Sequence, residues 1–197
     1  MSVSRKRSRA MTLVEMMVYL AIMGFFLSAI YLVLISGLRY MQTSQAYADT
    51  QQQSTNALAM LLGELTDSNP AGVVVGSASD VEILSPRRPD GLIDMLGTNL
   101  AWQKWVCYAV DANTHAMHRA EIKLASPVGT LAPLPPLPPL VGFLANPTAR
   151  VVATNVAVMN VTAAGPRTFA LTLEVQDNPG TARLTQLQLQ GVAQCRN

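Results

Sequence analysis

Charge is what this chain has least of: only 13% of its residues are Asp, Glu, Lys or Arg, while half are hydrophobic. That balance excludes a disordered, highly charged polypeptide. Of the 14 cations, Arg5, Lys6, Arg7 and Arg9 form one block. Without that block ten cations face 12 acidic residues, a net charge of about −2. The ten are scattered, so the electrostatic footprint of a nucleic-acid binder is missing and no nucleic-acid partner is expected. Histidine and cysteine are nearly absent too. His115 and His118, three positions apart on an expected strand, would point to opposite faces and read as surface residues. Cys107 and Cys195 lie 88 positions apart, neither a metal spacing nor a redox pair. In an exported domain they are candidates for one disulfide, worth roughly 2–4 kcal/mol, the alternative being two separate buried thiols. No glycine-rich phosphate loop, Cys/His cluster or nucleophile motif occurs. The carboxylates Asp80, Glu82, Asp90, Asp94, Asp111 and Glu121 are dispersed, with no calcium-loop motif behind them. The expectation is a protein that is not an enzyme and carries neither cofactor nor metal.

What is present in quantity is one apolar run. Residues 16–35 include no charge, proline, Asn or Gln. As a helix rising 1.5 Å per residue they would cover about 30 Å, the thickness of a bilayer hydrocarbon core. The basic block just before them would hold that end in the cytoplasm. Glu15 stands at the entrance to this run, where a carboxylate is costly and marks function by default. A cut between Ala10 and Met11 would create an α-amino group four residues before Glu15. Between molecules packed side by side, the amine of one could neutralise the glutamate of the next, so the buried charge would be paired only in an assembly. The plain alternatives are a signal anchor with a stray glutamate, or a secretory signal cut near Ala46-Tyr47-Ala48. The latter's apolar region is too long, and its cut about ten polar residues too late.

The stretch Arg9-Ala10-Met11-Thr12-Leu13-Val14-Glu15 resembles the class III signal of type IV pilins and type II secretion pseudopilins. In that family a basic leader ends in a small residue, followed by a hydrophobic residue, Thr or Ser, two aliphatics and Glu. Gly24 also falls where members often carry glycine. Ala10 replaces the usual glycine before the cut, and Leu32 stands where major pilins often have proline, which resembles a minor rather than a major subunit. The resemblance implies cleavage between Ala10 and Met11 by a prepilin peptidase, N-methylation of Met11, and assembly through Glu15, Thr12 and Gly24. It also implies a single-pass protein of the bacterial inner membrane, with a cytoplasmic N-terminus and a periplasmic C-terminal domain, that can enter a pilus or pseudopilus. Its partners would be other minor pilins or pseudopilins and the major subunit.

Beyond residue 35 the helix is expected to continue to residue 67, unless Gly37 breaks it into two. Residues 43–56 are rich in Gln, Ser, Thr and Ala, whereas Leu58, Leu61, Leu62 and Leu65 fall on one stripe that can pack on a domain. Ser68-Asn69-Pro70-Ala71-Gly72 ends it. From there the period becomes two. Residues 73–75 and 81–84 are short strands, and Pro86 to Gly91 is a loop whose Arg87 and Arg88 read as a solvated turn or a contact for an acidic partner. Residues 104–110 and 115–124 form a hairpin around Asp111-Ala112-Asn113-Thr114. Its Trp105-x-x-Tyr108 and Met117-His118-Arg119 resemble a looser element of J-type pseudopilins and PilW-like minor pilins. Residues 126–147 hold seven prolines, and within them Leu131 to Leu140 is expected as an extended polyproline connection whose leucines lie on the domain or on a neighbouring subunit. Strands follow within residues 150–162. A second hairpin closes the chain, with Phe169, Leu171, Leu173 and Val175 alternating, a turn at Asp177-Asn178-Pro179-Gly180, and an irregular start near Leu184.

The expected architecture is therefore α+β and pilin-like. A leader spans residues 1–10 and a long helix residues 11–67, membrane-spanning over 11–36. Its second half packs on an antiparallel β-sheet domain at 68–197 that includes the proline-rich loop 126–147. The expected role is a minor pilin or pseudopilin that primes or joins a fibre. The rival is a membrane-anchored periplasmic binding protein, or an adhesive or DNA-capturing tip subunit.

Overall fold

A helix opens the structure because nothing from residue 13 to residue 67 interrupts one: no proline occurs, and the glycines at 24, 37 and 63 are isolated. The computed structural model describes residues 12–76, 79–88, 90–131, 134–176 and 186–196. Helix α1 spans Leu13–Asp67 and passes through Gly37 without a break. At its end Asn69 accepts the Ala71 amide through its side chain and caps a 3-10 turn, Pro70–Gly72. Strands follow: β1 (Val73–Val75), β2 (Asp80–Ser85), β3 (Met95–Leu96), β4 (Asn99–Leu100), β5 (Trp102–Asp111) and β6 (Ala116–Val128). A short helix α2 (Leu140–Leu144) precedes β7 (Arg150–Ala153), β8 (Val156–Gly165), β9 (Thr168–Gln176) and β10 (Gln186–Gln194). The fold is α+β, a long N-terminal helix followed by antiparallel sheets.

The chain divides into two compact units, Met1–Ala46 and Tyr47–Asn197. In the first, the described residues are the apolar half of α1, and its large side chains are exposed: Leu13 77%, Phe25 78%, Leu32 65%. This is one helix long and apolar enough to cross a membrane. Its two serines within the apolar run and just past it bond back along the helix, Ser28 donating to the Gly24 carbonyl at 2.8 Å and Ser36 to that of Leu32 at 2.7 Å. Self-satisfaction of this kind is what an apolar solvent requires of a helix.

In the second unit a five-stranded antiparallel sheet has the order β1-β2-β5-β6-β7, and a three-stranded one the order β10-β9-β8. Side chains of β5 alternate between two cores, as strand geometry dictates. Val106 and Tyr108 join Leu58, Leu61 and Leu65 of α1 and the inner face of β9 in the first core. Trp105, Cys107 and Ala109 face the second, with Trp102 and Phe143 of α2. The leucine stripe of α1 is thus buried as its period implies, and β9 buries Phe169, Leu171, Leu173 and Val175 in strict alternation. At Gly191 of β10, a Cβ would stand 2.7 Å from Leu62 Cδ1, so the absence of a side chain lets this strand approach the helix.

Several details depart from the sequence reading. The proline-rich region also holds a short helix that the sequence reading did not include, Leu140–Leu144, which starts where the expected extended segment ends and buries Phe143. Strand β6 runs past residue 124 to Val128 and takes in Pro127. That is tolerated because residues 124–127 have no register partner on β5. The hairpin of β3 and β4 turns at Gly97, with φ +66°. The turn at residues 177–180 and the irregularity near Leu184 lie outside the described residues.

Candidate functional site

Two groupings of polar residues stand out, one in each unit. The first opens α1. The Thr12 amide donates to Glu15 Oε2 at 2.8 Å and the Thr12 hydroxyl to the same oxygen at 3.1 Å. The Glu15 amide donates back to Thr12 Oγ1 at 3.3 Å. This is a reciprocal capping box, in which a hydroxyl and a carboxylate three residues apart each satisfy an orphan amide at the helix start. The spacing Thr-x-x-Glu before an apolar run is its sequence signature, a role not drawn from the sequence above. Both intramolecular bonds to the carboxylate use Oε2, so among the described residues Oε1 is in no hydrogen bond of the box. A Cβ built on Gly24 meets nothing within 4 Å, so this chain alone sets no demand for glycine there. Ala10 and Met11, expected to flank the cut, lie outside the described residues.

The second grouping lies in the second unit. Tyr108 and Arg119 are register partners across β5 and β6, and the aromatic and arginine of the looser motif meet there. Arg119 donates from Nε to the Tyr108 hydroxyl at 3.1 Å, from Nη1 to Glu121 at 2.7 Å and from Nη2 to Glu64 of α1 at 2.8 Å. Ser85 donates to the other Glu64 oxygen at 3.0 Å, and Lys104 pairs with Glu121. Burial opposes the charge on Arg119, but Tyr108, Glu121 and Glu64 outweigh it and hold the guanidinium protonated. Burial likewise pushes the Glu121 carboxyl up, and Lys104 and Arg119 more than reverse this, leaving it below the usual carboxylate range. The Tyr108 hydroxyl is pushed up by burial. Two cations and two carboxylates in one buried cluster form a fixed brace between helix and sheet rather than a reactive centre. Glu64 could not be assigned from sequence, because it lies 55 positions from Arg119, whereas Glu121 is two residues away on the same strand and its shared face was the signal that could have found it.

The remaining candidates separate. Cys107 and Cys195 are free buried thiols in different cores, the second of the two alternatives that the sequence left open. Alternation on β5 turns Cys107 away from the face on which Cys195 sits beside Ser68. Burial first, with Glu82 and Asp80 adding to it, pushes the Cys107 thiol up to about 12. His115 is in the turn before β6 with φ +51°, not on the strand. Arg87 and Arg88 do not make a merely solvated turn: Arg87 pairs with Asp67 of α1 and Arg88 with Asp94 at 2.7 Å. Among the described residues no three His, Cys, Asp or Glu side chains come together.

Residues 5–31 match a family model described as the prokaryotic N-terminal methylation motif. No curated protein and no solved structure matches the chain. The motif, on an apolar N-terminal helix followed by antiparallel sheets, supports a type IV pilin-like or pseudopilin-like subunit, a class typically structural rather than enzymatic. It implies processing by a prepilin peptidase and assembly with other pilins, and it fits inner-membrane anchoring.

Proposed function

We propose that this chain is a minor pilin or pseudopilin, of the PilW-like or J-type kind, that primes or joins a type IV pilus or a type II secretion pseudopilus. The methylation motif leading directly into an exposed apolar helix carries this reading. Cleavage between Ala10 and Met11 frees the Met11 amine, which is then methylated. The apolar half of α1 holds the subunit in the inner membrane and later packs among neighbouring helices. There Glu15 meets the amine of an adjacent subunit while Thr12 keeps the carboxylate aimed. An Oε2 bound in the box and an Oε1 that the box does not use suit that double duty, since the inter-subunit pair need not break the cap. The open space at Gly24 suits the close approach of a neighbouring helix. The periplasmic domain starts after the membrane half and selects neighbours.

The test is intact-mass spectrometry of the chain from cells with and without prepilin peptidase, together with Glu15→Gln and Glu15→Ala. The expected mature species begins at a methylated Met11 and disappears without the peptidase. Glu15→Gln retains an oxygen for the cap but no charge, so it should be cleaved yet fail to enter the fibre. Retention of residues 1–10 in both strains defeats the reading.

A further inference from the structure

A cleft of about 270 Å³ opens in the second unit beside the arginine brace. One wall is α1, where Met60 and Gly63 present an apolar and a bare surface. Three guanidinium groups, Arg87, Arg119 and Arg150, line it with Glu64. Three of the ten cations outside the N-terminal block thus gather at one small cleft of a chain whose remainder is slightly acidic. Arg87 is neutralised by Asp67, and Arg119 by Glu64 and Glu121. Arg150 is exposed and, among the described residues, in no ion pair.

Register makes that third cation costly. Arg150 of β7 stands directly opposite Arg119 of β6, and cross-strand partners share a face. Like charges opposed in this way are destabilising; Glu64 and Glu121 offset the charge of Arg119, whereas Arg150 has no such counter-charge among the described residues. β7 is an edge strand, so Arg150 sits at the rim, open to another molecule. Arg119 cannot move to relieve the contact, because three hydrogen bonds hold it. A carboxylate entering beside Arg150 would supply the counter-charge that this arginine lacks among the described residues. Guanidinium forks match its planar oxygens, and Met60 would cover the methylene beside it.

From this we infer that the cleft bounded by Arg150, Arg119 and Met60 receives an acidic side chain of a neighbouring fibre subunit. This rests on the fibre-subunit reading. It gives the domain a specific contact of its own, apart from the helix packing common to all subunits.

A zero-length carbodiimide cross-link tests it on the full chain in its own cells. Carbodiimide joins an amine to a carboxylate within ion-pair reach and leaves guanidinium unreacted, so Arg150→Lys introduces a reporter that preserves the charge. Membranes and sheared fibres are treated, and cross-linked peptides are identified by mass spectrometry. Expected is a link from the introduced amine to an Asp or Glu of another subunit, absent in Arg150→Ala and absent without prepilin peptidase. Arg150→Glu should lower incorporation into the fibre about tenfold or more, a change of about 1.4 kcal/mol, at an unchanged level of cleaved protein. A cleft serving a free anion such as phosphate would show no inter-subunit link. That result overturns the inference, as does normal incorporation of Arg150→Glu, and the fibre reading survives both if cleavage and assembly proceed. A wild-type chain that is neither cleaved nor assembled overturns both together.

Discussion

Glu82 is 5% exposed on β2, and its Oε2 is buried without a hydrogen-bond partner among the described residues. It faces the second core, opposite Cys107. Burial, reinforced by the nearby Asp80 charge, raises its carboxyl above the ordinary value. The consequence for stability has a definite sign. In a folded protein that holds this proton more tightly than the unfolded chain, stability is fully present at low pH and falls as pH rises through the folded pKa. Glu82→Gln removes the titration, so the variant should gain stability relative to the parent as pH rises from the ordinary carboxylate range through the raised folded pKa. Urea unfolding at a series of pH values checks this, and a parallel pair of curves would refute it. Thr12 and Glu15 show the opposite economy. Their box satisfies two helix-start amides, and the spacing that reveals it was in plain view in the sequence. Attention to the charge of Glu15 hid the plainer role of its oxygen.

At the scale of elements, one helix has two different reasons to exist. Its second half is buried through a leucine stripe and tied by ions, since Glu64 meets Arg119 and Asp67 meets Arg87. Arg119→Met would leave the partly buried Glu64 and Glu121 without their shared cation, although Lys104 still reaches Glu121. Because both carboxylates keep some contact with solvent, the cost should fall below the roughly 3–5 kcal/mol typical of a fully buried pair, and it should appear as a lower denaturation midpoint of the full chain in detergent. Lowering the pH should also erode the parent's advantage, because Glu121 is held ionised below the usual range and the bond is lost only as pH falls through its folded pKa. The helix, its stop, β2, the β5–β6 hairpin and the alternating β9 were legible because each depends on local period and turn chemistry. The helix partner of Arg119, Glu64, was not, because the two come together only when α1 lies on the sheet. α2 was hidden for another reason: five residues flanked by proline give too short a period to read, and burial of Phe143 decides the matter.

At the scale of the whole molecule, the two units solve the same problem in different solvents. The second encloses its own cores: Leu61, Leu65, Tyr108, Phe143 and Leu173 are each at most 1% exposed. The described part of the first has no core at all, and residues such as Phe25, Phe26 and Tyr31 are more than 60% exposed. Each large apolar side chain left in water forfeits roughly 1.5–3 kcal/mol, so this helix has to be covered by lipid or by other helices. The apolar load and the cooperative core therefore belong to separate stretches of sequence. A chain restricted to Tyr47–Asn197 retains both cores, the brace around Arg119 and the whole leucine stripe of α1. Exported without the preceding residues, it should be recovered in detergent-free buffer as a monomer with a single cooperative urea transition. Sedimentation and circular dichroism read both properties. Aggregation, or a broad non-cooperative transition, would mean that the first unit contributes to folding of the second. Solubility with cooperative unfolding would instead mean that residues up to Ala46 serve the membrane and the assembly alone.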